Sequence, residues 1–339
     1  MNSEPAVHPA PYKIGMLLLD GFNAMASQAF IDPFRSANYL RGMALYKWDF
    51  LALDVSGVEA SNGLNITCFN SIDGAPPDYD LLVVNASWSP ERFVQPRLLA
   101  FLRTCAQRRV AVCGLDTGAF ILAHAGLLKN RNAAIHYEHI AAFRELFPDI
   151  GMGEDLFVID GDRLTCCGGL AGTDLALEII RHQHGLQLAN AASRYIFHER
   201  IRNGAEGQLP QSAEPGGYSA PDKLRAAIIL MEANLEQPVK IAAVADHVGL
   251  SQRQLDRMFR QHSGVSPVRY YLDVRLDRAR GLVTQTQLAI LNVAIACGFS
   301  GNSQFSRAYK KRFGISPTGD RIEGRLPFQF RSFPSHAGL

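Results

Sequence analysis

The stretch that decides the fold of the C-terminal part reads Ile241-Ala-Ala-Val-Ala-Asp-His-Val-Gly-Leu-Ser251. Its apolar residues recur at helical spacing, its glycine breaks the helix, and its serine can cap a second helix from Gln252 to His262. The buried face of that second helix would carry Leu255, Met258 and Phe259. This pattern predicts a helix-turn-helix unit.

The same arrangement occurs a second time. A long helix is predicted from Val268 to Val283, and the sequence Ile290-Leu-Asn-Val-Ala-Ile-Ala-Cys-Gly-Phe-Ser300 and a helix from Asn302 to Phe313 follow it. The units end alike, in Gly264-Val-Ser-Pro267 and Gly314-Ile-Ser-Pro317. Because an internal repeat with the same breaks is far less accidental than one copy, we predict two helix-turn-helix units in tandem.

The second helix of each unit has polar and basic side chains on its outward face. Such side chains can read base edges and contact phosphates, so we expect this face to bind DNA. They are Arg253, Gln254, Asp256, Arg257 and Arg260 in the first unit, and Gln304, Arg307, Lys310, Lys311 and Arg312 in the second.

The stretch from Lys240 to Pro317 resembles the DNA-binding domain of the AraC/XylS family of bacterial transcription regulators. The resemblance implies that the second helix of each unit enters the major groove, with the two helices about one helical turn apart, roughly 34 Å. For each arginine, a solvated or phosphate-bound side chain is the alternative to base reading, because phosphate contacts make up about half or more of protein–DNA hydrogen bonds. By position, the resemblance assigns base reading to Arg253, Asp256 and Arg257, and to Asn302, Ser303, Gln304 and Arg307.

Length and charge agree with a protein built from two parts. A chain of 339 residues exceeds the ~250 residues at which single cores stop growing. Residues 1–218 carry 17 Lys and Arg against 23 Asp and Glu, a net charge of −6, whereas residues 219–339 carry 17 against 9, a net charge of +8. A basic part joined to an acidic part is typical of a DNA reader attached to a domain that need not touch DNA.

The six cysteines have no metal-type spacing, and Cys166 and Cys167 are adjacent, so they suggest neither a zinc site nor a disulfide framework. We expect reduced thiols in a cytoplasmic protein, with no metal and no cofactor. The opening residues lack the pattern of a signal peptide, and no apolar run approaches the ~18 residues that span a membrane. We therefore expect no membrane association.

Strands and helices alternate through the N-terminal part. The central strands are continuously apolar, which favours an α/β, flavodoxin-like, doubly wound parallel sheet with helices on both faces. Strands are predicted at residues 12–19, 48–54, 65–69, 81–85 and 110–115, a hairpin at 156–166, and helices near 27–40, 90–107, 117–125, 173–184 and 188–199.

The turn within Val110-Ala-Val-Cys-Gly-Leu-Asp-Thr-Gly-Ala-Phe120 is the most informative N-terminal feature. An apolar strand there runs directly into a helix. Such a turn forces one residue into a tight conformation and aims its side chain into a crevice at the carboxyl end of the sheet, where open α/β folds bind ligands. We predict that this elbow residue is Asp116.

Together with Ala123-His-Ala-Gly-Leu-Leu128 and Ala133-Ala-Ile-His-Tyr-Glu138, the elbow stretch resembles the ThiJ/PfpI branch of the class I glutamine-amidotransferase-like fold. Fusion of such a domain to an AraC-type reader resembles the GlxA family of regulators, and this likeness extends from about Lys13 to Pro317. It implies a ligand-responsive, DNA-binding transcription regulator, which we expect to be an activator.

Departures from the catalytic pattern of that fold argue against an enzyme. Its catalytic members place a cysteine at the elbow, usually with a histidine and with an acidic residue from the loop after the first strand. Here Cys113 lies inside the strand, where we expect it to be buried and inert. The first loop, Phe22-Asn-Ala-Met-Ala26, has no carboxylate, and His136 without a nucleophile makes no catalytic pair. A hydrolase or amidotransferase fused to a DNA reader, and a DNA-binding protein without a ligand, are the alternatives.

Two roles are open for Asp116. It can cap the following helix, or it can select a cationic group in the crevice. Aromatic faces beside a carboxylate suit ammonium and quaternary ammonium ligands, at about 0.5–2 kcal/mol per good contact, although each aromatic residue alone fits a hydrophobic core better. Amides at the start of the Thr117 helix would hold a ligand carboxylate, which together predicts a small zwitterion. The aromatic candidates are Phe22, Trp88, Phe120 and Tyr137.

The resemblance also bears on the effector. Relatives with Gly114-Leu-Asp-Thr-Gly-Ala-Phe120 at the elbow look like regulators that respond to glycine betaine, carnitine or arginine. We favour a quaternary amine such as glycine betaine or carnitine, which would need only the aromatic residues. Arginine or another amino acid is the alternative, and arginine would need a second carboxylate, for which Glu138 is the nearest candidate. His136 and Tyr137 are expected to line the pocket, and a core histidine bonded to backbone is the alternative.

The chain thus divides into five segments. Its expected partners are double-stranded DNA, RNA polymerase, the effector and a second copy, since ThiJ/PfpI-like domains commonly dimerise. Ile322-Glu-Gly-Arg325 coincides with a protease-cleavage sequence used in expression vectors, so the end is either partly artificial or a native, poorly ordered tail. The segments are a disordered leader (1–10), the ligand-sensing domain (11–201), a Gly-, Pro-, Gln- and Ser-rich linker (202–220), the DNA-binding domain (221–319) and the tail (320–339).

Overall fold

The computed structural model describes residues 10–54, 57–73, 78–208 and 221–323. The chain divides into two compact units, Met1–Gln208 and Leu209–Leu339. Most of the expected leader, the part of the linker at 209–220 and the tail from 324 lie outside the described residues.

The first unit is a three-layer α/β structure. Its strands are β1 (Tyr12–Leu18), β2 (Tyr46–Ala52), β3 (Gly57–Glu59), β4 (Asn65–Thr67), β5 (Asn70–Ser71), β6 (Leu81–Ala86), β7 (Ala111–Asp116), β8 (Asn132–Ala133), β9 (Gly151–Met152), β10 (Phe157–Asp160) and β11 (Arg163–Cys166). Its helices are α1 (Ala24–Arg41), α2 (Pro96–Gln107), α3 (Gly118–His124), α4 (Ile140–Leu146), α5 (Ala171–His184) and α6 (Leu186–Tyr195).

Seven strands form the main sheet in the order β10-β11-β7-β6-β1-β2-β5. All neighbours in it are parallel except β10 and β11, which form the predicted hairpin. The predicted strand at 65–69 is shorter and lies outside the main sheet, because β4 pairs with β3 in a separate antiparallel pair. The mostly parallel sheet confirms the predicted fold class.

Both faces of the sheet are covered. Ile14 and Met16 point to one face of β1 and share a core cluster with Phe30 of α1 and Leu175 of α5. Leu17, between them, is also completely buried, so the opposite face is covered as well. This arrangement explains why the central strands read as continuous apolar runs.

The second unit is helical in its described part. Its helices are α7 (Asp222–Glu232), α8 (Ile241–His247), α9 (Gln252–Ser263), α10 (Pro267–Gln285), α11 (Ile290–Ala296), α12 (Asn302–Phe313) and α13 (Pro317–Glu323). The pairs α8–α9 and α11–α12 are the two predicted helix-turn-helix units. No described helix of the protein is long and apolar enough to cross a membrane.

Two predicted boundaries are wrong. The linker was placed from residue 202, but Arg202 donates to the buried carboxylate of Asp174 through its backbone and its guanidinium, so residues 202–208 belong to the first unit. The tail was placed from residue 320, but Asp320 lies within α13, is buried, and accepts hydrogen bonds from Arg280 and Tyr309. Both errors arise because the anchoring partners are remote in sequence.

Candidate functional site

Asp116 lies at the predicted elbow, at the end of β7 and two residues before α3. Its φ is 57°, a left-handed conformation that is uncommon for a residue with a side chain, and it is 4% exposed. A Cβ on Gly118 would collide with the carbonyl oxygen of Val84, so the turn can be this tight only with glycine there. The elbow residue is therefore held by its surroundings in a strained conformation, as is common at functional sites.

The carboxylate of Asp116 is bonded to the loop after β1. Asn23 Nδ2 donates to Asp116 Oδ2 at 2.8 Å, and Asn23 also caps α1, with Oδ1 accepting from the amide of Ala26. Asn85 at the end of β6 donates to the Asn23 carbonyl at 2.8 Å and to Ser27 Oγ at 2.5 Å. The ends of three adjacent strands are thus joined in one polar network beneath the elbow.

Burial raises the pKa of the Asp116 carboxyl to about 6. Hydrogen bonding from Asn23, the nearby imidazole of His136 and the Ser87 side chain oppose this rise in pKa, whereas the Glu138 carboxylate adds to it. His136 and Glu138 thus act on the Asp116 carboxyl in opposite directions. Among the described residues, no cationic side chain forms an ion pair with Asp116.

Asp116 does not cap α3. Thr117 occupies the N-cap position of α3, and no side chain caps this helix. The expected role of Thr117 is also wrong: its amide donates to the Ala86 carbonyl, its hydroxyl donates to the Ser87 carbonyl at 2.7 Å, and it is completely buried. Neither group of Thr117 is available to a ligand carboxylate.

The four aromatic candidates do not form one cage. Phe22 is completely buried in the hydrophobic core, and Phe120 is 4% exposed and packs against Phe143 at 5.1 Å between ring centroids. Trp88 and Tyr137, by contrast, are 38% and 52% exposed. Two of the four predictions thus fall on core residues, and the other two present their rings at the surface.

His136, Tyr137 and Glu138 lie in the turn before α4. The His136 and Tyr137 rings stack at 4.6 Å between centroids, and His136 Nδ1 lies 3.9 Å from Glu138 Oε2. Ligand atoms of His136, Glu138 and His139 lie within 4.8 Å of one another, so these three residues could hold a metal ion. The sequence analysis named His136 and Glu138 but did not identify this cluster.

Cys113 is completely buried within β7, and burial raises the pKa of its thiol far above the ordinary value. A thiol kept protonated and shielded from solvent is not a nucleophile, which agrees with the expectation from sequence. All six cysteines lie in the described part of the chain, are buried and form no disulfide. In the catalytic pattern, a cysteine stands at the elbow and an acidic residue in the first loop. Here the elbow carries the carboxylate of Asp116, and the first loop carries the amide of Asn23.

In the first helix-turn-helix unit, α9 begins with a capping box. Ser251 Oγ accepts from the amide of Gln254, and the Gln254 side chain accepts from the amide of Ser251 at 2.8 Å. Asp256 accepts from Arg260 at 2.8 Å within the helix. Of the candidates in this unit, Gln254 and Asp256 are thus engaged locally, whereas Arg253 and Arg257 are exposed.

In the second unit, all six DNA-contact candidates are exposed on α12. Gln304 accepts from Ser300 at 2.9 Å, and the guanidinium of Arg307 donates to the Ser303 carbonyl at 3.3 Å. Arg312 does not share the outward face, because its guanidinium pairs with Asp277 of α10 at 2.7 Å. The exposed candidates are Asn302, Ser303, Gln304, Arg307, Lys310 and Lys311.

A separate cavity of about 1130 Å³ lies along α5, α6 and β10. Phe197, 96% exposed and in the left-handed region with φ of 58°, lies at its edge. Asp116 and the other candidate ligand residues do not line it. The sequence analysis did not predict this cavity, and it did not predict the roles of Asn23 and Asn85. For Asn23 a signal was available, because the first loop has an amide residue and no carboxylate where catalytic members of the fold have an acidic residue.

The fold and these sites define a transcription regulator: an α/β domain with a polar elbow, joined to two helix-turn-helix units. The DJ-1/PfpI family profile matches residues 12–182, and a Helix-turn-helix domain profile matches residues 244–321. The chain belongs to the AraC-type, GlxA-like transcriptional regulators, in which a DJ-1/PfpI domain precedes the DNA-binding domain.

Two relatives match nearly the whole chain, and one solved structure matches about half of it. The HTH-type transcriptional regulator GbdR of Pseudomonas aeruginosa is 40% identical over 320 residues, which cover 94% of this chain and 87% of GbdR. The HTH-type transcriptional regulator CdhR of the same species is 41% identical over 305 residues, 90% of each chain. The crystal structure of an AraC family transcriptional regulator from Pseudomonas putida is 29% identical and covers 55% of this chain and 100% of that chain, with a TM-score of 0.51.

Proposed function

We propose that the first unit of this regulator senses a small organic cation at Asp116. The observation that carries the proposal is a buried carboxylate for which the described residues provide hydrogen bonds but no ion-pair partner. A buried charge is costly unless it is paired. A cationic ligand would supply the missing charge, and occupancy would stabilise the ionised form of Asp116.

Glycine betaine and carnitine are the effectors that we favour. The resemblance of the elbow sequence to regulators of that kind supports them, and Trp88 and Tyr137 offer exposed aromatic faces for a trimethylammonium group. Because Phe22 and Phe120 belong to the core, only Trp88 and Tyr137 of the four aromatic candidates are left to contact such a group. Arginine is the second candidate. A guanidinium would need a second carboxylate, and Glu138 is favoured for this role because its carboxylate raises the pKa of Asp116.

A thermal-shift screen of the full chain against glycine betaine, carnitine, choline, dimethylglycine and arginine tests this proposal. A ligand at 100 times its dissociation constant stabilises the folded unit by about 2.7 kcal/mol, which is seen as a rise in melting temperature. A shift confined to quaternary amines supports the favoured effectors, and a shift with arginine alone supports the second candidate. A flat profile with every compound would remove the organic-cation proposal.

We further propose that the regulator is not an enzyme. The buried thiol of Cys113 and the absence of a cysteine at the elbow support this. Turnover of an ester or amide substrate that disappears on substitution of Asp116 or Cys113 would overturn it.

Ligand control of transcription requires different affinities for two states of the protein. We propose that effector binding changes how the helix-turn-helix units engage DNA, that the protein acts as a dimer on paired half-sites, and that it activates RNA polymerase in the cytoplasm. Family resemblance supports each of these points. Sedimentation and operator-binding measurements with and without effector test the first two, and transcription from an operator-bearing template tests the third.

A further inference from the structure

The segment from residue 202 to residue 208, here called the exit segment, closes the first unit and precedes the second. Its first residue, Arg202, is fixed to Asp174, a completely buried carboxylate that also bonds to His198 Nε2 at 2.9 Å. Further along, Gly204 accepts from the amide of Leu156 at 2.8 Å. The start of the exit segment is therefore firmly attached to the domain.

Gln208, the last residue of the exit segment, uses its side chain to contact two other segments of the chain. The side-chain amide of Gln208 donates to the carbonyl of Ile135 at 2.8 Å and to the carbonyl of Asp155 at 2.9 Å, and its backbone amide donates to Glu154 at 3.0 Å. Both protons of the side-chain amide are thus used to join two separate chain segments. Leu209 begins the second unit directly after it.

Ile135 is the residue before His136. The carbonyl of Ile135 and the amide of His136 belong to one planar peptide group, so a rotation of this group at His136 moves the oxygen that Gln208 holds. The preceding residue, Ala134, is pinned by the bond from its amide to Thr165 Oγ1 at 2.8 Å. The ring of His136 stacks on the ring of Tyr137 at 4.6 Å between centroids, and Tyr137 is one of the aromatic residues proposed to contact the ligand.

We propose that Gln208 is the positioning residue that transmits occupancy of the Asp116 site, through the peptide group of Ile135 and His136, to the chain that leads to the DNA-binding unit. This inference rests on the proposed function. Gln208 is half-buried and lies outside the elbow, so it reports on the ligand without touching it. Its two amide protons suit it to this task, since no other uncharged side chain except asparagine offers two donors from one group.

Hydrogen exchange on the full chain, followed by mass spectrometry, tests the proposal. The perturbation is either glycine betaine at saturation or, without any ligand, the substitution His136→Ala. Each is applied to the wild-type protein, to Gln208→Ala and to the control Glu206→Ala. The Glu206 side chain accepts hydrogen bonds from Arg200 and from the Asn203 amide within the same part of the chain, and neither bond involves Ile135. The control therefore loosens the segment without cutting the path.

In the wild type and in Glu206→Ala, we expect His136→Ala to change exchange in peptides spanning residues 204–220 by about fivefold or more, the lower range of coupling between sites. In Gln208→Ala, we expect that response to fall below about twofold, since local opening is then independent of His136. A response that persists in Gln208→Ala, or that is missing from the wild type, overturns the inference.

The two arms separate this inference from the proposed function. If glycine betaine does not bind, by thermal shift on the same samples, the favoured effector fails while the His136→Ala arm still decides the role of Gln208. One outcome is that the Gln208→Ala variant binds glycine betaine with an affinity within about threefold of wild type and yet loses the transmitted response. That result would show that Gln208 lies outside the binding site and would support its role in transmission. Loss of glycine betaine binding in Gln208→Ala would contradict the proposal, because Gln208 would then belong to the site itself.

Discussion

The side-chain amide of Asn23 donates a 2.8 Å hydrogen bond to the carboxylate of Asp116, across 93 positions of sequence. This bond joins the loop after β1 to the elbow after β7, and no cationic side chain of the described residues lies within ion-pair distance of the buried carboxylate. It is the relationship on which the sensor proposal depends. Several properties of the regulator should respond to it.

Replacement of Asn23 by aspartate should destabilise the first unit at alkaline pH. Aspartate caps a helix as well as asparagine does, so the cap of α1 is kept. The donor to Asp116 is lost and a like charge faces it, which should raise the pKa of Asp116 above about 6. We expect a loss of roughly 1.5–3 kcal/mol at pH 8, from urea unfolding.

The sign of the pH dependence follows from the raised pKa. The folded state holds the Asp116 proton more tightly than the unfolded state, so the contribution of this group to stability falls as pH rises from about 4 towards 8. The difference between Asn23→Asp and wild type should therefore shrink at pH 5. An equal loss of stability at both pH values would show that the bond to Asp116 is not the cause.

Effector affinity should fall in acid. A cation binds the ionised carboxylate, and with a pKa of about 6 the ionised fraction of Asp116 drops about fourfold between pH 7.5 and pH 5.5. We therefore expect the dissociation constant of glycine betaine to rise by about this factor, from calorimetry in buffers of matched ionic strength. An affinity that is constant over this range would place the ligand away from Asp116.

Alanine at Gly168 should disturb the elbow more than alanine at its neighbour. Gly168 has φ of +90°, and a Cβ there would lie 2.9 Å from the Cβ of Asp116. Gly169 has φ of +54° and no atom within 4 Å of such a Cβ. Both variants meet a positive-φ penalty, but only Gly168→Ala pushes on Asp116, so we expect it to lose about 1–3 kcal/mol more stability in urea unfolding. Equal losses would contradict the close packing around the elbow.

Alanine substitutions of two adjacent basic residues on α12, Lys311 and Arg312, should have different effects. Lys311→Ala should weaken binding to all DNA sequences alike and reduce the slope of log affinity against log salt by about 1, since an exposed lysine contacts phosphate. Arg312→Ala should leave the salt slope unchanged and lower the melting temperature instead, because Arg312 pairs with Asp277. Fluorescence anisotropy at several salt concentrations distinguishes the two. The same salt slope for both variants would contradict the outward assignment.

Local patterns explain which parts were predictable from sequence. Apolar runs and glycine breaks are short-range signals, and they indicated the parallel sheet, the Asp116 elbow and both helix-turn-helix units. The capping box of α9 is similarly local, although its use of Gln254 competes with the DNA contact expected from the same residue. Periodicity thus identified the element but not how its polar atoms are used.

Long-range contacts explain what sequence did not reveal. Gln208 meets Ile135 across 73 positions, and Arg202 meets Asp174 across 28, so the linker was placed too early. Phe120 was expected near the crevice, but its position on α3 turns its ring towards Phe143 of α4. Which face a residue presents after a tight turn depends on how the helix packs on the sheet, and a single sequence does not show that.

The most direct test of the central claim is calorimetric titration of the full chain with glycine betaine, carnitine and arginine, comparing Asp116→Asn with Asp149→Asn. Asp149 is an exposed residue of the same unit, so its variant makes the same chemical change away from the elbow. We predict binding of one of these cations to wild type and Asp149→Asn, and a loss of at least about tenfold in Asp116→Asn, as expected for removing a charged partner of a ligand. Equal affinity in all three proteins would contradict the assignment of the sensor site to Asp116.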